Sequence, residues 1–578
     1  MKAVAARRWT LRDHDGEAAR IIAAELAIDP AVASLLAARG VRDGSSARRF
    51  LASSLADVRD PLLLKGMGEA VDRLVLARSR GETVCVYGDY DVDGVTATAL
   101  LTSFFRQIGI RCFYYIPNRL EEGYGLSADG LRRAAGKAQV VVSVDCGVNA
   151  VAEAELAARL GLDLIITDHH TPGPVMPNAC AVINPLQPGC SYPFKSLAGV
   201  GVAFNLVVAL RGRLREEGAF AGGGEPNLRE YLDLVALGTI ADVVPLTEEN
   251  RIFVKYGLRE LSISARPGVK ALKEVAGVTG SVSCGAVGFR LAPRLNAAGR
   301  LEDAARGVEL LLETDPVRAA AIAAELDASN AERQAIEREI LADAMALVEG
   351  KPDMAGRKSI VLASGAWHPG VIGIVASRMV DIFHRPTVLI ALQEGEGRGS
   401  GRSIPGFHLY DALDACAEHL TKFGGHRYAA GLSLDESALE RFVDRFEEVA
   451  AGRLSPDDLV PVLRVDAELA PRQVTAELAD AISSLEPFGP GNPEPLFILS
   501  GAEIVEQRPV GSNHLKMRLF KGGRIFDAIG FNLAEAGPRL CGAVDLAFSL
   551  GWNEWNGRKS LQLTLKDIRV SCQGGGPC

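Results

Sequence analysis

Between residues 83 and 184, short β-branched runs alternate with amphipathic stretches, and this rhythm restricts the fold more than any other feature of the chain. Thr83–Gly88, Arg111–Ile116, Gln139–Val144 and Leu162–Thr167 read as strands, with Ala181–Asn184 as a candidate fifth. Val95–Ile108, Ala128–Ala135 and Val148–Leu160 read as the helices between them. Such alternation builds a parallel sheet flanked by helices. Ligands of open α/β sheets bind outside the carboxyl ends of the strands.

The residues at those ends are acids and histidines. Asp89, Asp91 and Asp93 follow the first strand, Asp145 ends Val140–Val144, and Asp168-His169-His170 ends Leu164–Thr167. Asp242, in the apolar segment Leu237–Asp242, is a candidate fourth contributor. Singly, each has an ordinary reading, such as a helix cap for Asp145. Together they place metal-ligand residue types at equivalent positions of four apolar segments. Close carboxylates repel unless a cation or protons intervene. A calcium EF-hand is excluded, because its twelfth position from Asp89 is Leu100 and a strand-like run stands where a helix is needed. Carboxylates with imidazoles suit manganese or magnesium. Five or more acids exceed one ion, and two ions about 3.5–4 Å apart suit phosphoryl hydrolysis.

The 578 residues are expected to divide into a helical segment (1–65), a catalytic domain (66–315), a connecting helix (316–350), a second α/β domain (351–458), a small β-barrel (459–572) and a disordered tail (573–578). Within 316–349, Ser329-x-x-Glu332 reads as an internal helix cap. Arg290–Arg300, with Arg294 and Asn296, reads either as a surface loop or as an anion-binding segment. Two glycine-rich basic stretches, Gly397–Ser403 and Phe423–Gly431, read as loops that could cradle phosphate. Past residue 460 the period changes to two, and Asn556-Gly557 marks a hairpin. A barrel groove lined by Lys516, Arg518, Arg524 and Lys559 would suit single-stranded nucleic acid. The net charge of −9 opposes nucleic-acid binding in general, but metal-binding acids are neutralised, so a local basic patch is what is required. The ten cysteines form no C-x-x-C pair and read as reduced thiols of a cytoplasmic protein. No secretory signal or run of the roughly 20 apolar residues needed to span a membrane is present.

The Asp-x-Asp at 91–93, Asp145, Asp168-His169-His170 and Asp242 resemble the four motifs of the DHH phosphoesterase superfamily. GDYDVDGVTAT at 88–98 and LVALGTIADVVPL at 234–246 are similar to the RecJ family of single-strand-specific exonucleases. The resemblance implies a parallel-sheet DHH domain, a long helix, a DHH-associated α/β domain and an OB-fold barrel. It implies two divalent ions, Mn2+ or Mg2+, with Asp91 on one, Asp93 on the other, Asp145 bridging, His169 and Asp242 completing the shell of the second metal, and Asp89 beside the first. Asp168 belongs to the same catalytic set, and His170 would contact the reacting phosphate. The pyrophosphatase branch carries a His where this chain has Tyr87, which counts against that branch. Arg119, in Pro117-Asn118-Arg119, and Arg300, with Arg294 and Asn296 in its motif, would meet substrate phosphate. Ser400 and Arg402 would hold the 5′-terminal phosphate. Gly425, His426 and His368 are further candidates, a structural role being the alternative for the two histidines. The implied activity is 5′→3′ exonucleolysis of single-stranded DNA in repair and recombination, by a monomer whose two lobes flank a strand-wide cleft. The family implies a single-strand-binding protein and a helicase as partners. Rivals are a phosphodiesterase of short oligoribonucleotides or cyclic dinucleotides, and a non-catalytic single-strand-binding protein.

Overall fold

In the computed structural model, which describes residues 7–118, 122, 125–301, 303–351, 354, 356–511, 513–555 and 558–571, the first sheet has five strands. They are β1 (Thr83–Tyr87), β2 (Arg111–Tyr115), β3 (Val140–Val144), β4 (Asp163–Thr167) and β5 (Ala181–Ile183). All neighbours are parallel, in the order β2-β1-β3-β4-β5. Helices cover both faces, so β3 is buried at every position, which is why its sequence is continuously apolar. The chain leaves β1 to one side and returns to the other as β3. The crevice of such a reversal lies between β1 and β3. Register aligns Val144 with Thr167 and Thr167 with Ile183, so Asp145, Asp168 and Asn184 follow in one row.

Helix α1 (Val92–Gln107) begins earlier than its apolar pattern suggests, because the Asp91 carboxylate accepts the Gly94 N–H at 3.0 Å and caps it. Asp93 therefore lies inside a helical turn. α2 (Gly199–Glu216) and α3 (Leu232–Ala241) pack against α1, and Leu100, Phe104, Val200, Leu206, Leu234 and Leu237 share one core. Asp242 caps the C-terminus of α3, so the fourth acid arrives from a helix end.

The chain clusters into two compact units. One holds Asp13–Asn330 with the barrel, the other the extreme N-terminus with Ala331–Val465. The N-terminal stretch is not wholly helical: Arg8–Leu11 is a strand paired in parallel with Val462–Val465. The helices after it, to which the sequence assigns no chemistry, bury Ile22, Leu35 and Leu36 in the core of the barrel domain with Phe497 and Phe548.

The Arg290–Arg300 segment is helical: a π-helical turn, Val287–Leu291, runs into α4 (Ala292–Leu301). α5 (Pro316–Glu349) is continuous, and Ser329 donates back to the Glu325 carbonyl at 3.1 Å instead of capping a new helix. The second unit carries β6 (Ile360–Ser364), α6 (Ile372–Phe383), β7 (Thr387–Gln393), β8 (Glu396–Arg402), β9 (Lys422–Gly425) and β10 (Ala429–Asp435). The sheet order is β9-β10-β8-β7-β6. Both glycine-rich stretches are thus largely strands, not loops. Gly399 is needed because a Cβ there would stand 2.7 Å from Leu432 Cδ1 on the adjoining strand.

In the first unit, β11 (Phe497–Val510), β12 (His514–Lys521), β13 (Arg524–Gly530), β14 (Ala543–Trp555) and β15 (Arg558–Val570) close into an OB-like barrel through β11–β14 pairing. Arg119, the Asn556-Gly557 turn and the tail from 573 lie outside the described residues. No helix among the described residues is long and apolar enough to cross a membrane.

Candidate metal centre

Five segments deliver eight side chains to the β1–β3 crevice. Asp89 and Asp91 come from the β1–α1 turn and Asp93 from the first turn of α1. Asp145 follows β3, Asp168, His169 and His170 follow β4, and Asp242 follows α3. Ligand atoms of Asp89, Asp91 and Asp145 all lie within 4.8 Å of one another, as do those of Asp93, His169 and Asp242, and those of Asp145, His169 and His170. His169 Nε2 is 3.1 Å from Asp145 Oδ1, 3.6 Å from Asp242 Oδ2 and 3.9 Å from Asp93 Oδ2.

The backbone makes this crowding possible. Asp145 sits at φ 61°, a left-handed conformation uncommon outside glycine. Its side chain packs against Gly199, where a Cβ would come 2.5 Å from Asp145 Oδ1. The same Gly199 opens α2, and the N–H groups of Gly199 and Val200 donate to Asp93 at 2.6 and 2.8 Å. A helix N-terminus thereby steadies a fully buried carboxylate. Gly238 lets α3 approach, since a Cβ there would lie 2.8 Å from Asp93 Oδ1.

Asp168 has a different task. It accepts the N–H groups of Val148, His169 and His170 at 2.9, 2.7 and 3.0 Å, and its Oδ1 lies 2.7 Å from His170 Nδ1. Asn184 adds a bond to the His170 carbonyl at 2.9 Å. Burial would raise the Asp168 pKa, but the bond to His170 prevails and holds it below the usual carboxylate range. Burial likewise opposes charge on His170, yet Asp168 holds that ring above its ordinary value. The two form an ion pair that fixes the His170 ring at Nδ1. His169 is the opposite case: burial and the neighbouring His170 pull it down to about 4, so its ring is neutral and can ligate.

The remaining acids are strained electrostatically. Burial and the charge of Asp91 push Asp93 up; burial and Asp93 push Asp145 and Asp242 up. Among the described residues, the buried His169 Nε2 and Asp242 Oδ2 have no hydrogen-bond partner. A neutral imidazole beside oxygen ligands that resist ionisation is the donor set of a divalent cation, and the cluster fits one at each of its two ends.

The other predicted site residues divide. Gly299 lets α4 press on the metal-side turn, a Cβ there being 2.6 Å from the Tyr90 carbonyl, and Arg300 follows directly. Arg294 also has protein partners: its Nε donates to Asp327 at 2.8 Å and its Nη1 to the Arg290 carbonyl at 2.5 Å. Asn296 lines a hollow next to Asp242. In the second unit, Arg402 Nη1 donates to Ser400 Oγ at 3.1 Å, and a Cβ on Gly373, at the start of α6, would meet that Oγ at 2.8 Å. Gly425, at φ 140°, and the exposed His426 stand where β9 turns toward β10, the strand on which Ala429 pairs with Arg402. His368 Nδ1 accepts the Gly370 N–H at 3.1 Å, a local structural contact. On the barrel, Lys516, Arg518 and Arg508 line a hollow of about 190 Å3 that also holds Glu506 and Asp527. Arg524 instead bonds the Pro471 carbonyl at 2.8 Å, and Lys559 Nζ lies 4.4 Å from the Trp552 ring centre. Gly199, Gly238 and Asn184 escape sequence reasoning. The one signal for the first was a glycine opening the apolar helix Gly199-Val200-Gly201.

Comparison with known proteins gives matches to the DHH family N-terminal domain over residues 83–239, the DHHA1 domain over 356–452 and the RecJ OB domain over 465–567. The single-stranded-DNA-specific exonuclease RecJ of Bacillus subtilis is 40% identical over 572 residues, covering 98% of this chain and 71% of its own. The Escherichia coli protein of the same name is 41% identical over 563 residues, covering 94% and 96%. The crystal structure of RecJ from Thermus thermophilus in complex with Mn2+ superposes with a TM-score of 0.82 at 34% identity, covering 98% of this chain and 80% of that one. Its complex with Mg2+ gives 0.77, covering 97% and 78%.

Proposed function

The chain belongs to the RecJ family of single-stranded-DNA-specific exonucleases, and from that premise we propose that it shortens single-stranded DNA from the 5′ end by metal-assisted hydrolysis. The observation that carries this reading is the donor set at the β1–β3 crevice, with Asp145 shared between two of its three-residue groups. Two divalent ions, Mn2+ or Mg2+ as in the T. thermophilus structures, would supply an activated water and neutralise charge on the phosphodiester.

The chain's own residues do the rest. Asp89 and Asp91 would hold one ion, and Asp93, His169 and Asp242 the other, with Asp145 between. The α2 N-terminus keeps Asp93 in place through two N–H donors. Asp168 favours the doubly protonated His170 ring by accepting from Nδ1, and in that form Nε2 would donate to an oxygen of the scissile phosphate. Arg300, beside the Tyr90 carbonyl through Gly299, would bind a flanking phosphate. Ser400 and Arg402, against the start of α6, combine a hydroxyl, a guanidinium and a helix N-terminus, which together suit a terminal phosphate. The partner is single-stranded DNA. A single-strand-binding protein and a helicase are proposed as co-workers on family resemblance alone, with the chain acting as a cytoplasmic monomer.

A 5′-labelled and a 3′-labelled single strand, a duplex and a dinucleotide, each with Mn2+, Mg2+ or chelator, test the reading. Early release of the 5′ label from the single strand, dependent on the ion, is expected. Equal digestion of the duplex, or cleavage under chelator, would reject it. Arg402→Ala should cut the preference for a 5′-phosphate over a 5′-hydroxyl by roughly tenfold or more, the order of one charge-assisted hydrogen bond. An unchanged preference would remove Arg402 from that role.

A further inference from the structure

The helix Glu248–Ile263 begins shortly after Asp242, and its first turn carries consecutive polar side chains that are fully buried. Such groups are buried where each has a partner to serve. Glu249 accepts from the Tyr192 hydroxyl at 2.7 Å and from the Arg59 N–H at 2.8 Å. Asn250 Nδ2 donates to the Ser196 carbonyl at 2.5 Å and to the Pro245 carbonyl at 3.0 Å. Both acceptors are carbonyl oxygens, which requires the amide nitrogen to face them.

These two carbonyls belong to the two segments that build the half of the centre formed by Asp93, His169 and Asp242. Ser196 opens the strap 196–200. Within it, the His169 ring donates to the Leu197 carbonyl. Among the described residues His169 Nε2 has no hydrogen-bond partner, so the donor is Nδ1, and Nε2 keeps the lone pair that a metal needs. The strap ends on the Gly199 and Val200 N–H groups that hold Asp93. Pro245 lies on the second segment, which leaves α3 at Asp242 and passes through Val243 at φ 62°, a conformation that a β-branched residue rarely adopts. Backbone strained in this way persists only where its surroundings hold it.

Asn250 is costly as a core residue. Its Oδ1 is buried and has no partner among the described residues, and an unpaired buried acceptor is unfavourable. An apolar side chain would fill the same space without that cost. What the amide supplies is two donors on one nitrogen, so that a single group ties both segments together. Every residue in this arrangement belongs to one compact unit.

We propose that Asn250 is a positioning residue for the second metal: its amide couples the strap that aims His169 and Asp93 to the segment that aims Asp242. The inference rests on the two-metal reading and deepens it, adding a residue that acts only through the ligands. Asp89 and Asp91 stand on the β1–α1 turn, to which neither carbonyl belongs. The coupling is therefore one-sided, and its loss should loosen one ion of the pair more than the other.

The test is a Mn2+ titration without nucleic acid, followed by the electron paramagnetic resonance signal of the free ion, on the parent, Asn250→Ala and Leu261→Ala. The parent should take up two ions. Asn250→Ala should keep the parental affinity for one and bind the other about 10- to 100-fold more weakly, the usual effect of removing a group that orients a metal's ligands. Hydrolysis of a single strand should need correspondingly more Mn2+, and saturating Mn2+ should return most of kcat. Leu261→Ala empties a buried position at the far end of the same helix, so it should lower the melting temperature and leave both affinities unchanged, which separates positioning from lost stability. Asn250→Ser, whose hydroxyl can donate to one of the two carbonyls, should fall between parent and Asn250→Ala, and it is judged by the same outcomes should Asn250→Ala not fold. Two parental affinities, or equal weakening of both ions, would overturn the assignment. A parent that binds fewer than two ions would instead strike the two-metal reading itself.

Discussion

Replacing Asp145 by alanine is expected to lower hydrolysis of single-stranded DNA at least ~10³-fold while strand binding persists. Loss of one preorganised electrostatic contact already costs about 10²–10³. Asp145 contributes to two groups at once, with Asp89 and Asp91 on one side and with His169 and His170 on the other, so its removal opens both. No neighbour can substitute. Its carboxylate is placed by a left-handed backbone at the strand end and by the missing side chain of Gly199, and both leave a gap when the carboxylate goes. Binding should survive because the candidate phosphate contacts at Arg300, Ser400 and Arg402 lie on other elements. The measurement is hydrolysis rate beside strand affinity. Near-parental turnover in Asp145→Ala would end the account of a shared carboxylate.

Removing divalent ions should abolish turnover and should also change how stability depends on pH. Burial and mutual repulsion raise Asp93 to about 7 and Asp242 to about 9, from an ordinary 3.8 that the unfolded chain keeps. Between about 4 and 9 the folded metal-free protein therefore binds more protons than the unfolded chain. Stability falls with rising pH wherever the folded state is the more protonated. The metal-free melting temperature should accordingly drop across that window, by an amount of the order of 5 °C for a few kcal/mol of repulsion. Saturating Mn2+ should reverse the drop, because a ligand that binds only the folded state adds stability and the deprotonated ligands bind it better. Melting curves at several pH values, with Mn2+ and with chelator, decide the matter. A metal-free melting temperature that rises through this range would contradict the crowded-carboxylate picture.

Much of the first sheet and of its site was legible in the linear chain. The apolar runs that became β1, β3 and β4 end in Asp89, Asp145 and Asp168, and parallel connectivity alone sends those ends to one edge. The barrel was legible from a period of two. What misled were signals whose meaning depends on neighbours far away. Glycines at 397, 399 and 401 suggested a loop, yet Gly399 serves a strand because Leu432 lies across it.

Residue types, their order and their local periodicity determined which side chains can carry the chemistry and which strands bear most of them, because those properties are set by adjacent residues. Tertiary packing alone decided that Asp242 reaches the centre from a helix end and that Gly199 donates to Asp93, 106 positions away. Packing alone also brought Val243 and Phe488 to the wall of one hollow. Such contacts join segments whose separation along the chain says nothing of their distance in space. They exist only once the helices and the barrel have buried their apolar faces against one another.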